Sequence, residues 1–278
     1  MKKYLLSLAV VLAGITLLAS CDDNDGPSYQ YVTYSNGAYV VNAGNMSGSI
    51  DGTLTYIDYD AHTAYQKVFQ SANNGQSLGN TANDGLVYGD KIYVVVDKEN
   101  TIEVLDRVTR KRIKQISTTA MLGLKEGTSP RRIIAGGNSI FFTTYGGVVA
   151  RVDTLAFNLQ NKYTVGSYPE GLMGAGNYLY VANSDYGNGN GTFSIVDLAS
   201  GSVNTLKVEG VNNPKEVFLT QSNLYVLDMG TYDANWNQTG CGIYRMNGNS
   251  SATLVAEATM AAQYGEKLYL INNAYGTV

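Results

Sequence analysis

A short apolar segment built around one aromatic residue recurs six times along the chain. It reads Ala38-Tyr39-Val40-Val41-Asn42, Ile92-Tyr93-Val94-Val95-Val96, Ile140-Phe141-Phe142-Thr143-Thr144, Leu179-Tyr180-Val181-Ala182-Asn183, Leu224-Tyr225-Val226-Leu227-Asp228 and Leu268-Tyr269-Leu270-Ile271-Asn272. The anchors 39, 93, 141, 180, 225 and 269 are separated by 54, 48, 39, 45 and 44 residues. Downstream of the first five lies a second alternating segment ending in an acid or amide: Asp58, Asp106, Asp153, Asp197 and Asn247. A turn and a third apolar segment follow, as in Arg112-Ile113-Lys114-Gln115-Ile116. Each unit therefore holds four short strands of period two in about 46 residues, with no helical stripe. Four-stranded repeats of that size are β-propeller blades. A β-sandwich would not repeat its anchors, and the coil of a β-helix is much shorter. Three of the four prolines, Pro130, Pro169 and Pro214, mark one position, just before the first strand of a unit.

Composition agrees and removes several functions. The 278 residues include 31 glycines and 22 tyrosines, only 15% are charged, and the net charge is -4. Such a chain has no basic footprint for nucleic acid. His62 is the single histidine, and Cys21 and Cys241 are the only cysteines, so a Cys/His zinc cluster is excluded. Carboxylates fall at repeat positions, where no catalytic pair can be singled out. No nucleophile elbow, phosphate loop or dinucleotide fingerprint occurs in a strand–helix setting. The segment Asp233-Ala234-Asn235-Trp236-Asn237 opens like a calcium loop, but Gln238 and Tyr244 stand where that loop needs glycine and glutamate. Asx turns account for it more simply. We expect no enzyme activity, no cofactor and no resident metal.

The N-terminus is an address. Lys2 and Lys3 precede the apolar run Leu5 to Leu18, which suits a secretory signal better than a membrane span. Leu18-Ala19-Ser20-Cys21 resembles a bacterial lipobox, which implies cleavage before Cys21 and acylation of its thiol. Residues 1–20 then form the signal peptide, 21–30 a lipidated, acidic tether, and 31–278 the propeller. The tether Asp22-Asp23-Asn24-Asp25-Gly26-Pro27 resembles the surface-export signal of Bacteroidetes lipoproteins. That implies a lipid-anchored outer-membrane protein facing the exterior. Asp153-Thr154-Leu155 resembles the O-glycosylation acceptor of the same bacteria, on Thr154.

Tyr39-Val40-Val41-Asn42 and Tyr180-Val181-Ala182-Asn183, the latter followed by Phe193-Ser194-Ile195-Val196-Asp197, resemble the YVTN repeat of surface-layer propellers. The likeness runs from about residue 35 to the end; blades two, three and five depart from the tetrad at its last residues. Combined with the lipobox, it is similar to YncE-like Bacteroidetes surface lipoproteins, which include those that capture cobalamin above a transporter. The resemblance implies a non-enzymatic propeller binding a small ligand, a corrinoid among the options, for a TonB-dependent outer-membrane transporter. A surface scaffold for a protein or glycan is the alternative, and a propeller hydrolase or lyase a third.

In a propeller, the turns between strands two and three share one face with the blade-to-blade connections. Here those loops vary in length: 43–52, 184–191 and 229–242 are long, while 97–100 is short. Long loops on a rigid repeat scaffold carry binding residues. They hold Tyr145, Asp185, Tyr186, Tyr232 and Trp236, the only tryptophan; its loop serves either binding or its own packing. At the starts of the first strands stand Asn83-Asp84, Pro130-Arg131-Arg132, Pro169-Glu170-Gly171 and Pro214-Lys215-Glu216. Asn83, Asp84, Arg131, Glu170 and Lys215 are ligand-binding candidates if these positions form a polar ring at the channel mouth; otherwise they pair with each other across blades. At this length the chain holds five full units and part of a sixth. That predicts a C-terminally truncated product of a seven-bladed parent, with an open edge.

Overall fold

The computed structural model describes residues 36–272, except Ser222 and Trp236. The signal peptide, Cys21, the tether and the Trp236 side chain lie outside the described residues. The rest is an all-β propeller whose sheets follow one another in chain order.

Blade one contains β1 (Gly37–Asn42), β2 (Thr53–Asp58) and β3 (Thr63–Tyr65). Blade two contains β4 (Ala82–Tyr88), β5 (Lys91–Val96), β6 (Thr101–Asp106) and β7 (Arg112–Ser117). Blade three is β8 (Pro130–Gly136), β9 (Ser139–Thr144), β10 (Val148–Asp153) and β11 (Leu159–Thr164). Blade four is β12 (Pro169–Ala175), β13 (Tyr178–Asn183), β14 (Thr192–Asp197) and β15 (Val203–Leu206). Blade five is β16 (Pro214–Leu219) and β17 (Leu224–Asp228), then the ribbon β18 (Thr231–Tyr232) and β19 (Gln238–Thr239), then β20 (Gly242–Asn247) and β21 (Ser251–Ala256). The sixth sheet is β22 (Met260–Tyr264) with β23 (Lys267–Ile271). Every pairing within the sheets is antiparallel. Blade one shows three strands among the described residues.

The first five aromatic anchors pack into the seam between their own blade and the next. Tyr93 is fully buried between blades two and three, with Ile102, Ile140 and Phe142, and Phe141 is buried between three and four. Tyr39, Tyr180 and Tyr225 are half-buried against the corresponding seams. Tyr269 is 56% exposed, because no described blade stacks beyond it. Five of the six anchors are therefore packing residues.

The acid closing each third strand holds the hairpin that follows. Asp58 accepts the N–H groups of Asp60 and Ala61, Asp106 those of Val108 and Thr109, Asp153 those of Leu155 and Ala156, and Asp197 those of Ala199 and Ser200. These are Asx turns, in which a short carboxylate replaces missing backbone acceptors. The N–H of Thr109 above all holds the Asp106 carboxyl below its ordinary range, and that of Ala199 does so for Asp197. His62 sits exposed in the blade-one turn, on the face opposite the long loops. The Asn ending a YVTN tetrad reaches across its sheet: Asn183 Nδ2 donates to Thr192 Oγ1 (3.2 Å) and Ser194 Oγ (2.9 Å), and Asn42 Nδ2 to Thr53 Oγ1 and Thr55 Oγ1.

Two one-turn helices occur in blade-to-blade connections, α1 (Val68–Ala72) and α2 (Thr118–Leu122), where the sequence predicts only strands and loops. Five residues are too few to leave a periodic stripe. The segment after α1 covers the outer edge of blade two: Asn73 Oδ1 accepts the N–H of Arg112 and Asn73 Nδ2 donates to the carbonyl of Arg110. Beneath it, Arg112 forms a two-pronged pair with fully buried Glu103 (2.6 and 3.0 Å). Among the described residues no helix is long and apolar enough to cross a membrane.

Candidate functional site at the channel mouth

Four successive inner strands begin with the same irregularity. Their pairing with the second strand slips between Ala82 and Asp84, Pro130 and Ile133, Pro169 and Leu172, and Pro214 and Glu216. A bulge re-aims side chains that a regular ladder would send to alternate faces, and proline fits there because it has no N–H to donate. The bulged positions carry the polar residues picked out in the sequence. The first of the two positions reads Asn83, Arg131, Glu170, Lys215 through blades two to five; the second reads Asp84, Arg132, Gly171, Glu216.

The first set forms a chain around the mouth. Arg131 Nη1 lies 2.8 Å from Asp97 Oδ2, Arg131 Nε 3.1 Å from Glu170 Oε2, and Lys215 Nζ 2.7 Å from Glu170 Oε1. Asn83 Nδ2 donates to the carbonyl of Pro130 at 3.4 Å. Glu170 is 1% exposed. Burial alone would raise its pKa, but Lys215 and Arg131 outweigh that and hold the carboxyl below the ordinary glutamate range. The second set crosses the channel. Arg132 Nη1 is 4.0 Å from Asp84 Oδ1, while Nη2 pairs with Glu216 two blades away. It can pass blade four because the residue there is Gly171: a Cβ on it would lie 2.7 Å from Glu216 Cα, Glu216 Oε2 and the Lys215 carbonyl. Burial raises the carboxyls of Asp84 and Glu216 above their ordinary range, only partly offset by Arg132. A central cavity of about 420 Å³ is lined by Asp84, Arg132 and Glu216 together with Ile134, Met173, Phe218 and Gln263.

Above this ring three tyrosines meet. Tyr145, Tyr168 and Tyr186 have ring centroids 5.1, 5.1 and 5.9 Å apart. Tyr145 is half-buried: its hydroxyl donates to Glu170 Oε1, and Arg131 lies 4.4 Å over its ring. Tyr186 is 67% exposed and Tyr168 38%. Tyr168, Asp185 and Tyr186 all have positive φ, of 50°, 50° and 56°. Tyr168 shares its left-handed backbone with Thr81 (61°) and Ser129 (50°), which also directly precede a first strand, so that conformation belongs to the blade entry, whereas Asp185 and Tyr186 adopt it in the β13–β14 loop alone.

The structure thus brings together Asn83, Asp84, Arg131, Tyr145, Glu170, Asp185, Tyr186 and Lys215. Most of the ring pairs with itself across neighbouring blades, the second of the two arrangements the sequence allows. Tyr232 stands apart on the ribbon β18–β19, and Thr154 is half-buried in the turn after β10, with its N–H on the Asn138 carbonyl. Asp233 accepts the N–H groups of Asn235 and Asn237, an Asx turn. Sequence reasoning missed Tyr168 and Asp97. Tyr168 directly precedes one of the marking prolines, which was the available signal; Asp97 sits in a loop set aside as short.

Hydrazine synthase of Kuenenia stuttgartiensis is similar in structure, with a TM-score of 0.54 at 16% identity over 78% of this chain and 69% of its own. The computationally designed Ika8 protein has a TM-score of 0.49 at 9% identity, over 78% of this chain and 61% of its own. BamB from Moraxella catarrhalis has 0.47 at 16% identity, over 72% and 53%. At such identities the first likeness shows the fold alone. No curated protein matches the chain. The family model described as a domain of unknown function, DUF5074, matches residues 36–187, more than half of the sequence, and the chain belongs to that family.

Proposed function

We propose that this propeller captures a small ligand at the mouth of its channel without transforming it. The observation that carries this reading is the tyrosine triad, with partly exposed Tyr168 and Tyr186 packed against Tyr145 over the Arg131–Glu170–Lys215 chain. Tyrosines supply broad contact at little rotamer cost, and a rigid charged base beneath them is preorganised. The mutual neutralisation of the ring supports binding over catalysis, since Glu170 is spent on three partners. With Cys21 acylated, the mouth would stand at the outer surface and hand its ligand, a corrinoid in the specific version, to a TonB-dependent transporter.

Calorimetric titration of the protein with cobalamin and a glycan panel tests this. Cobalamin affinity of micromolar or better, weakened at least tenfold by Tyr186→Ala, is the expected result. No cobalamin binding removes the corrinoid version, and unchanged affinity of Tyr186→Ala for whichever ligand binds removes the mouth. The projecting ribbon β18–β19, with Tyr232 45% exposed, favours a second reading as a scaffold for a protein or surface glycan.

A further inference from the structure

A second cavity lies at the rim between blades one and two, at the turns opposite the mouth, and shares no residue with it. Its volume is about 730 Å³, and Tyr56, Asp58, Tyr65, Gln66, Ser71 and Arg110 line it. That is the size of an ordinary ligand site. Arg110 occupies the fifth position of the turn begun by Asp106, with φ of 60°. The same position in other blades is Gly201 (φ 74°), Phe157 (59°) and His62 (50°), so the backbone there is left-handed whatever the residue, and glycine would meet it without strain. Blade two instead carries an arginine laid over a neighbouring blade. Its guanidinium stacks 4.7 Å above the ring of Tyr56, and its Nε donates to Tyr39 Oη at 3.1 Å.

Those two contacts fix the plane of the guanidinium and use one of its nitrogens. Nη1 and Nη2 have no partner among the described residues. A planar fork with two free nitrogens, held in place by an aromatic face, is suited to a carboxylate. Beside it Tyr65, 48% exposed, stacks nearly parallel to Tyr56 (centroids 6.4 Å apart, planes 14°) and offers its outer face to the C–H face of a sugar ring. The Asp58 carboxylate can accept hydroxyl protons, the Gln66 amide can both accept and donate, and the Ser71 hydroxyl does the same. One arginine fork, one aromatic platform and several hydroxyl partners converge on a ring that bears a carboxylate and hydroxyls. We infer that this rim groove binds an acidic sugar unit of the hexuronate type, as a site separate from the mouth.

Titration with galacturonate trimer and with its methyl-esterified form decides the matter. The acid trimer is expected to bind, the ester at least tenfold more weakly. Arg110→Gln should lose at least tenfold in affinity for the acid, and Tyr65→Ala at least fivefold. No binding of the acid at millimolar concentration overturns the inference, as does equal binding of acid and ester or wild-type affinity in Arg110→Gln. Should Arg110→Gln fail to fold, the acid–ester comparison on the unmodified protein still decides it.

Discussion

Glu170 concentrates the electrostatics of the mouth in one side chain, being nearly inaccessible yet bound by Arg131, Lys215 and Tyr145. Removing one member of such a buried set leaves charge uncompensated, which costs more than the set contributes. Arg131→Ala should therefore destabilise the protein by about 3 kcal/mol, read from denaturant midpoints at constant slope, because it strips a partner from both Glu170 and Asp97. The pH dependence has a definite sign. The Glu170 carboxyl titrates lower in the folded state, so its contribution is complete above the unfolded glutamate value of about 4.3. It is lost as pH falls from there toward the folded value. Glu170→Gln should be less stable than the parent at pH 7, with the gap closing on acidification below about pH 4; a constant gap would mean that Glu170 does not act through its charge. Tyr168 poses a different question. Glycine there would release left-handed strain of about 1 kcal/mol or more while deleting one ring of the triad. Tyr168→Gly should leave the unfolding midpoint nearly unchanged and weaken ligand binding at the mouth. The sequence marked most of this site through the residues beside the prolines. It could not show that Tyr168 and Tyr186 meet, because that depends on how two loops from adjacent connections lean together.

The inner strands show how an element-level irregularity makes a site. Four bulges at equivalent positions turn two consecutive residues toward the channel, and the side chain skipped in blade four opens the path from Arg132 to Glu216. A methyl group at Gly171 would meet backbone atoms of β16 at 2.7 Å, so the strands rather than a flexible side chain must give way. Gly171→Ala should cost about 1–3 kcal/mol, as overpacking does elsewhere. It should also break the Arg132–Glu216 pair, visible as a changed response to mutation of Glu216. A double-mutant cycle between Arg132→Ala and Glu216→Ala should show coupling in the parent and little in the Gly171→Ala background. Strand order and blade size were legible because anchor, acid and proline each repeat with the blade. The bulges were not, since a slip in register leaves no mark on alternation over three residues. The short helices were equally hidden: α1 is fixed by contacts with blade two through Phe69 and Asn73, not by any periodicity of its own.

At the scale of the whole molecule, stability should be graded along the ring, because each blade is held by the seams on its two sides. Blades two to four have seams filled by fully buried residues on both faces, such as Val94, Val104, Phe142, Val149 and Val181. The seam against the sixth sheet is thinner, formed by Phe218, Leu227, Ile243 and Ala258. Beyond it β22 and β23 make a two-stranded sheet with Met260, Tyr264, Tyr269 and Ile271 all more than half exposed. A hairpin of that kind is marginal by itself and draws its order from one packed face. Repeat arrays behave as chains of units coupled to their neighbours, so opening should begin where a unit has one described neighbour and propagate inward. Amide exchange measured under native conditions should be fastest in β22 and β23 at one end and β1–β3 at the other, and intermediate in β17 and β20. It should be slowest in β5, β9 and β13, whose amides approach the global unfolding limit. Uniform protection across all six sheets would mean that the propeller opens only as a whole, and that the seams are coupled more strongly than their buried area implies. Protection of β22 and β23 rising with protein concentration would point instead to self-association through that exposed sheet.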